Sequence, residues 1–264
     1  MVTAQRLRRT RGLAGALLVA VVLGGTAVPA PAGAAEAGTV DAGAVDAGTT
    51  SAGAVDAGTT SAGAVDAGIV DTARGNGNVV SYTFDDGPNP ADTLRLLAVL
   101  RRHHVKAVFC LWGDHVKEHP EVVRRIVADG HTLCNHTMHH DDMGAWPADR
   151  IRADLVETSA VIRRAVPGAR IPYFRAPYGS WGETPTVAAQ LGMQPLGWRL
   201  AIGDWEPPGT EELVGRLTEG VTPGAVVLMH DGGGDRSQTV EAVDRTIPAF
   251  RARGWRFALP ARHS

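Results

Sequence analysis

The sequence predicts a single α/β domain built as a distorted seven-stranded (β/α) barrel, and three observations predict it. From residue 78 onward, short apolar runs alternate with segments of helical periodicity, the pattern of parallel strands covered by helices. There are seven such runs, one fewer than the eight-stranded TIM type. Asp85 and Asp86, His136, Arg175, Asp204 and His230 come from five separate runs, each at or just past its carboxyl end. Barrel active sites are assembled at that end. An open doubly wound sheet shares the alternation, since periodicity alone does not show closure.

The predicted strands are 79–84, 107–111, 131–135, 173–175, 195–198, 225–229 and 255–259. Between them Leu94, Leu97 and Leu100 lie near one helical face, as do Val122, Val123, Ile126 and Val127. Gly130 stops that second helix. Ile151, Leu155 and Ile162 mark a longer third helix. Pro185 follows Thr184 at a helix start, Thr210 is placed to cap Glu211-Glu212, and Ser237 to cap a last helix carrying Val240, Val243 and Ile247.

Only part of the 264 residues belongs to this domain. Residues 1–34 read as a secretory signal: Arg6, Arg8, Arg9 and Arg11, an apolar stretch from Leu13 to Val28, then Ala32-Gly33-Ala34. The stretch is short for a membrane span and Pro29 and Pro31 break it, so cleavage is expected, leaving no stable membrane anchor. No Cys lies near the cleavage site, which excludes a lipoprotein. Residues 35–73 are dominated by seven near-copies of Ala-Gly-x-x-x. So many glycines and so little bulk predict a disordered spacer. The expected domain is then 74–264, working as a monomer that is secreted or associated with the cell wall.

The chain has net charge -2, and loss of the four leader arginines leaves 22 Lys+Arg against 28 Asp+Glu. That acidic balance argues against nucleic acid or an anionic membrane as partner. Cys110 and Cys134 fall in neighbouring predicted strands; in a secreted protein they either pair or stay as buried thiols. Neither has zinc-finger spacing.

Adjacent Asp85 and Asp86 repel when both are ionised, so a site that keeps both charged needs a cation. Two imidazoles from His136-Thr137-Met138-His139-His140 would complete a set of ligands with room left for water, as in catalytic metal sites. On spacing alone His136 can pair with either His139 or His140, and convergence needs the segment to turn helically.

Five motifs in order carry a family resemblance: TFDDGP at 83–88, HTMHH at 136–140, RAPYG at 175–179, DW at 204–205 and LMH at 228–230. The sequence resembles the polysaccharide deacetylases of carbohydrate esterase family 4, which share the NodB-homology domain, across 79–259. The resemblance implies that Asp86, His136 and His140 bind a divalent metal, zinc by default, with cobalt or nickel also compatible. It implies Asp85 as general base paired with Arg175, and His230 as general acid tuned by Asp204 or Asp231. The Tyr178 backbone N–H would stabilise the oxyanion. Trp205 and Leu228 would line a slot for the acetyl methyl, with Pro177 and Tyr178 shaping the neighbouring loop. Against the family pattern, Asp141 replaces a common Pro and Ala201 a common Asp. Gly232-Gly233-Gly234 lacks the lysine of a phosphate loop and reads as a mobile rim. His115 and His131 read as ordinary polar histidines. The implied activity is N-deacetylation of chitin oligomers or peptidoglycan; rivals are O-deacetylation of acetylxylan and a non-catalytic carbohydrate-binding module.

Overall fold

A computed structural model describes residues 65–263. The expected signal over 1–34 and the spacer as far as residue 64 lie outside the described residues. No helix among the described residues is long and apolar enough to cross a membrane.

The elements in chain order are β1 (Val79–Gly87), α1 (Pro90–Arg102), β2 (Val108–Leu111), α2 (Gly113–Glu118), α3 (Pro120–Ala128), β3 (Thr132–Asn135) and α4 (Ala148–Ala165). Then come β4 (Tyr173–Phe174), a 3-10 turn at Pro177–Gly179, α5 (Thr184–Gln190), β5 (Gln194–Pro195), β6 (Leu200–Ala201), α6 (Thr210–Gly220), β7 (Ala225–His230), α7 (Ser237–Ala252) and β8 (Arg256–Phe257). The strands pair in the order β5-β4-β3-β2-β1-β7-β6, with β8 beside β1, and every ladder is parallel. The sheet curls into a distorted barrel with the helices outside. All seven predicted strands have a counterpart. The structure adds β6, whose two residues are too few to show a period.

Strand alternation sorts the core into two parts. Val80, Tyr82 and Phe84 of β1 face the helices and join the larger apolar cluster with Leu96, Leu100, Ile126, Ile151 and Val243. Val108, Cys110, Cys134, Tyr173, Leu196 and Val226 form a smaller cluster inside the curl. Each fully buried Leu, Ile or Phe contributes roughly 1.5–3 kcal/mol through removal from water. Cys110 and Cys134 sit opposite each other on β2 and β3 and form a disulfide, which decides between the two states left open by the sequence.

Three local expectations change. Leu94 is 44% exposed, and the buried face of α1 runs instead through Leu96, Leu97, Val99 and Leu100. Thr210 and Ser237 are the first residues of their helices and not caps; Gly209 and Arg236 hold the cap positions. The spacer also ends earlier than residue 73. Val70 bridges Leu196, Thr72 bridges Ala225, and Ala73 bridges Pro260. Backbone hydrogen bonds run from Val70 N–H to Pro195 O, Gly197 N–H to Val70 O, Val226 N–H to Asp71 O and Ala73 N–H to Gly224 O. Residues 70–73 thus fill the seam between β5 and β7. The seventh repeat copy, Ala67-Gly68-Ile69-Val70-Asp71, places Val70 where it is only 2% exposed.

Candidate active site

Thr83 and Asp85 point into the curl by alternation, and the next residue would ordinarily point out. A register shift between Asp85 and Gly87 interrupts the ladder. Asp86 takes a left-handed φ of 68°, which brings its carboxylate back toward the same site. Two neighbouring carboxylates therefore serve one cleft because of a bulge.

His136 and His140 converge without the helical turn expected from their spacing. Residues 136–140 form a bend in which Thr137 and His140 have φ of 68° and 58°. Side chains hold it: Asn135 Oδ1 accepts from Thr137 N–H at 3.0 Å, Asp154 Oδ1 from Met138 N–H at 2.9 Å, and Thr137 Oγ1 from His140 N–H at 3.1 Å. Among the described residues five non-glycines have positive φ, and Asp86, Thr137, His140 and Tyr178 all belong to the site. Such conformations cost about 1–3 kcal/mol each and gather where function requires them.

One ligand atom each from Asp86, His136 and His140 lies within 4.8 Å of the others. His136 Nδ1 is 2.8 Å from the Arg175 carbonyl, which can only accept. In the neutral imidazole Nε2 therefore presents a lone pair, and it faces Asp86 Oδ1 at 3.3 Å. His140 Nε2 lies 3.1 Å from the same oxygen. Neither approach is aligned as a hydrogen bond, so the buried Asp86 Oδ1 has no such partner. One carboxylate oxygen and two ring nitrogens gathered this closely make a donor set suited to a cation. Ligands about 2.1 Å from tetrahedral zinc stand about 3.4 Å apart, close to both distances, so these residues fit a divalent metal. Burial acts to raise the Asp86 pKa, but the close approach of the His136 and His140 ring nitrogens, with the charge of His136 and His230, holds it well below the usual carboxylate range. His139 is excluded: its ring is 54% exposed and pairs with Asp114 at 2.8 Å.

Arg175, fully buried at the end of β4, donates Nη1–H to Asp85 Oδ1 at 2.7 Å and to Thr83 Oγ1 at 2.9 Å. Its other donors reach the carbonyls of Leu196 and Gly197 at 2.9 and 3.0 Å. On the opposite wall, Asp204 Oδ1 is 2.8 Å from His230 Nδ1, and Asp204 Oδ2 accepts from His230 N–H at 2.9 Å and from Thr239 at 2.8 Å. The carboxylate keeps a proton on Nδ1 and leaves Nε2 for the cleft. Burial acts to lower the His230 pKa, but Asp204, then Asp85 and Asp86, outweigh it and raise it above the ordinary imidazole value. Ala201 leaves this pair intact.

A cleft of about 480 Å³ is lined by Asp85, Asp86, His136, His140, Ala176, Tyr178, Trp198, Trp205, Leu228 and His230. Arg175 and Asp204 stand behind the wall. Pro177 is buried in the 3-10 turn beside the cleft, next to Ala176 and Tyr178, which line it. Tyr178 OH is 3.0 Å from His140 Nδ1, and among the described residues nothing accepts from the Tyr178 N–H.

Sequence reasoning passed over Trp198, although its place at the end of a predicted strand was a usable signal. It also passed over Trp112, whose ring stacks on His140 at 5.0 Å, and did not foresee that His115 Nδ1 lies 2.7 Å from Asp86 O. His131 is as expected, a buried polar residue accepting from Ala107 N–H at 3.2 Å. Within the glycine run, Gly232 is buried, with no room for a Cβ against Asp86 O, while Gly233 and Gly234 are exposed.

Known proteins resemble this chain in sequence and fold. The chitooligosaccharide deacetylase of Sinorhizobium fredii is 38% identical over 196 residues, covering 70% of this chain and 91% of that protein. The solved structure of the Bc1960 peptidoglycan N-acetylglucosamine deacetylase superposes with a TM-score of 0.67 at 29% identity, over 72% of this chain and 89% of that one. A family 4 acetyl xylan esterase from Clostridium thermocellum, solved with a cobalt ion, gives 0.63 at 32% identity over 69% and 87%. The polysaccharide deacetylase profile itself matches residues 72–196. With a parallel curled barrel, clustered metal-type ligands and relatives of this identity and coverage, the chain belongs to the polysaccharide deacetylase family.

Proposed function

We propose that the protein is a secreted, metal-dependent deacetylase that hydrolyses N-acetyl groups of N-acetylglucosamine-containing glycans, chitin oligosaccharides or peptidoglycan, and releases acetate. One observation carries the reading. The Asp86, His136 and His140 cluster and the Asp204–His230 pair face one cleft whose walls include Trp198, Trp205 and Leu228. Asp86, His136 and His140 would hold a divalent cation, zinc by default with cobalt or nickel compatible, which when bound supplies Lewis acidity and lowers the pKa of water.

The chain's own residues do the rest. Asp85, oriented by Arg175, accepts the proton of the attacking water as its oxygen bonds to the acetyl carbon. The Tyr178 N–H donates to the developing oxyanion. The amine departs as the C–N bond breaks, taking a proton from His230 Nε2, because an amine anion is too basic to leave alone. Trp205 and Leu228 exclude water from the acetyl methyl. A carbohydrate-binding module would need neither base nor acid. The signal-like segment 1–34 and the acidic balance support a place outside the cell, free or at the wall, for a monomer on a repeat tether.

The test is mass spectrometry of N-acetylglucosamine oligomers after incubation with and without chelator. Loss of one acetyl mass per site, abolished by chelator, is expected; no loss in the metal-replete protein defeats the reading. The likeness to an acetyl xylan esterase supports a second reading, O-deacetylation. Acetate release from acetylated xylan exceeding that from the amino-sugar oligomers would favour it.

A further inference from the structure

Arg236 is the last residue before α7, only 4% exposed, and no part of the chemistry above. Its guanidinium donates to three backbone carbonyls: Nε to Gly232 at 2.8 Å, Nη2 to Gly233 at 2.9 Å and Nη1 to Asp204 at 3.1 Å. Its backbone N–H donates to Asp92 Oδ2 at 2.8 Å, tying it to α1. A buried guanidinium is costly unless its donors are used, and these donors are divided between two loops.

Each loop is in register with one half of the site. Asp204 orients His230. The Gly232-Gly233 turn lies directly on the metal-type carboxylate. A Cβ on Gly232 would stand 2.0 Å from Asp86 O, and one on Gly233 2.8 Å from Asp86 Oδ2. The N–H groups of Asp231 and Gly232 also reach Asp85 O at 3.0 and 3.3 Å. Displacing the turn therefore displaces Asp85 and Asp86, and displacing Asp204 frees His230.

We propose that Arg236 is a positioning residue that clamps the Asp204–His230 pair and the Asp85–Asp86 turn into one fixed separation, through the carbonyls of Gly232, Gly233 and Asp204. Only a planar fork with several divergent donors spans three such oxygens; an ammonium on a flexible stem does not. The kinetic part of this proposal rests on the deacetylase reading; the metal-affinity part does not.

The experiment compares wild type with Arg236→Ala and Arg236→Lys, each first shown to be folded by thermal unfolding and near-ultraviolet circular dichroism. Zinc affinity, measured by competition with a chromophoric chelator, is expected to fall about tenfold in Arg236→Ala. On an N-acetylglucosamine oligomer kcat is expected to fall about 10²-fold with little change in KM. The alkaline limb of kcat/KM moves to lower pH, because His230, which faces Asp204, Asp85 and Asp86, loses part of Asp204's support. Millimolar guanidinium should restore part of kcat in Arg236→Ala. A folded Arg236→Ala with wild-type zinc affinity and an unmoved alkaline limb overturns the proposal. If that variant does not fold, Arg236→Lys carries the same test, with the same overturning result. A wild type inactive on the oligomer sinks the deacetylase reading, and the zinc arm then decides the clamp by itself.

Discussion

The two halves of the cleft are built on opposite principles. The acid half uses regular structure: His230 ends a six-residue parallel strand, and one buried carboxylate from a neighbouring loop fixes its ring. The metal half uses irregular backbone: a bulge at Asp86 and a bend at 136–140, with left-handed φ at Asp86, Thr137 and His140. Asn135 and Asp154 bracket the bend from beneath. A general acid needs only a tuned pKa and a direction, which a strand end and a carboxylate supply. A metal site needs three lone pairs at one point, which no regular element presents from consecutive residues. The strain is located where convergence is required.

Breaking the metal half should have the largest effect. Asp86→Ala or His140→Ala is expected to lose bound metal and activity together, with turnover down at least about 10³-fold; metal analysis beside oligomer assays checks both. Retained metal in either variant would remove that residue from the ligand set. Disabling the acid or the base should separate chemistry from metal. His230→Ala and Asp85→Asn are expected to retain metal while amide hydrolysis falls about 10²–10⁴-fold. In His230→Ala an ester substrate should suffer less than the amide, since an alkoxide leaves more readily than an amine anion; equal losses would argue against His230 as proton donor.

Smaller effects sharpen the contrast. In the proposed mechanism His230 acts protonated, and its pKa is raised, so kcat/KM should fall as pH rises through that value. Asp204→Asn removes the main raising influence, so the alkaline limb should move to lower pH with zinc affinity unchanged; an upward shift would contradict the pairing. Asp154→Ala releases Met138 N–H at the other half. Zinc affinity should weaken about tenfold while the alkaline limb stays in place.

Legibility followed the same division. Strand ends and residue chemistry pointed to Asp85, Asp86, His136 and His230, while the choice of His140 over His139 and the Arg175–Asp85 pairing came from the family resemblance; the structure gathers these residues at one cleft. The path taken by the backbone was not legible. Left-handed conformations at Asp86, Thr137, His140 and Tyr178 have no signature comparable to glycine, so the spacing of His136 and His140 suggested convergence through a helical turn where the structure has a bend. Thr210 and Ser237 looked like caps because hydroxyl residues favour both the cap and the first turn. Val70 and Ala73 are small residues in a low-complexity setting, and their burial depends on a seam visible only once β5 and β7 are placed. Trp112 and His115 support the site from behind and belong to none of the motifs.

That seam has a mechanical consequence. Any tension applied along the chain from the repeat tract enters the barrel through Val70–Ala73, whose pairing with Pro195, Gly197, Gly224 and Val226 lies in the wall itself. A proteolytic cut upstream of residue 66 would release an intact catalyst, whereas a cut at residue 74 would leave a slot beside Leu196 and Val226. Residues 70–73 therefore belong at once to the repeat-rich sequence and to the barrel wall.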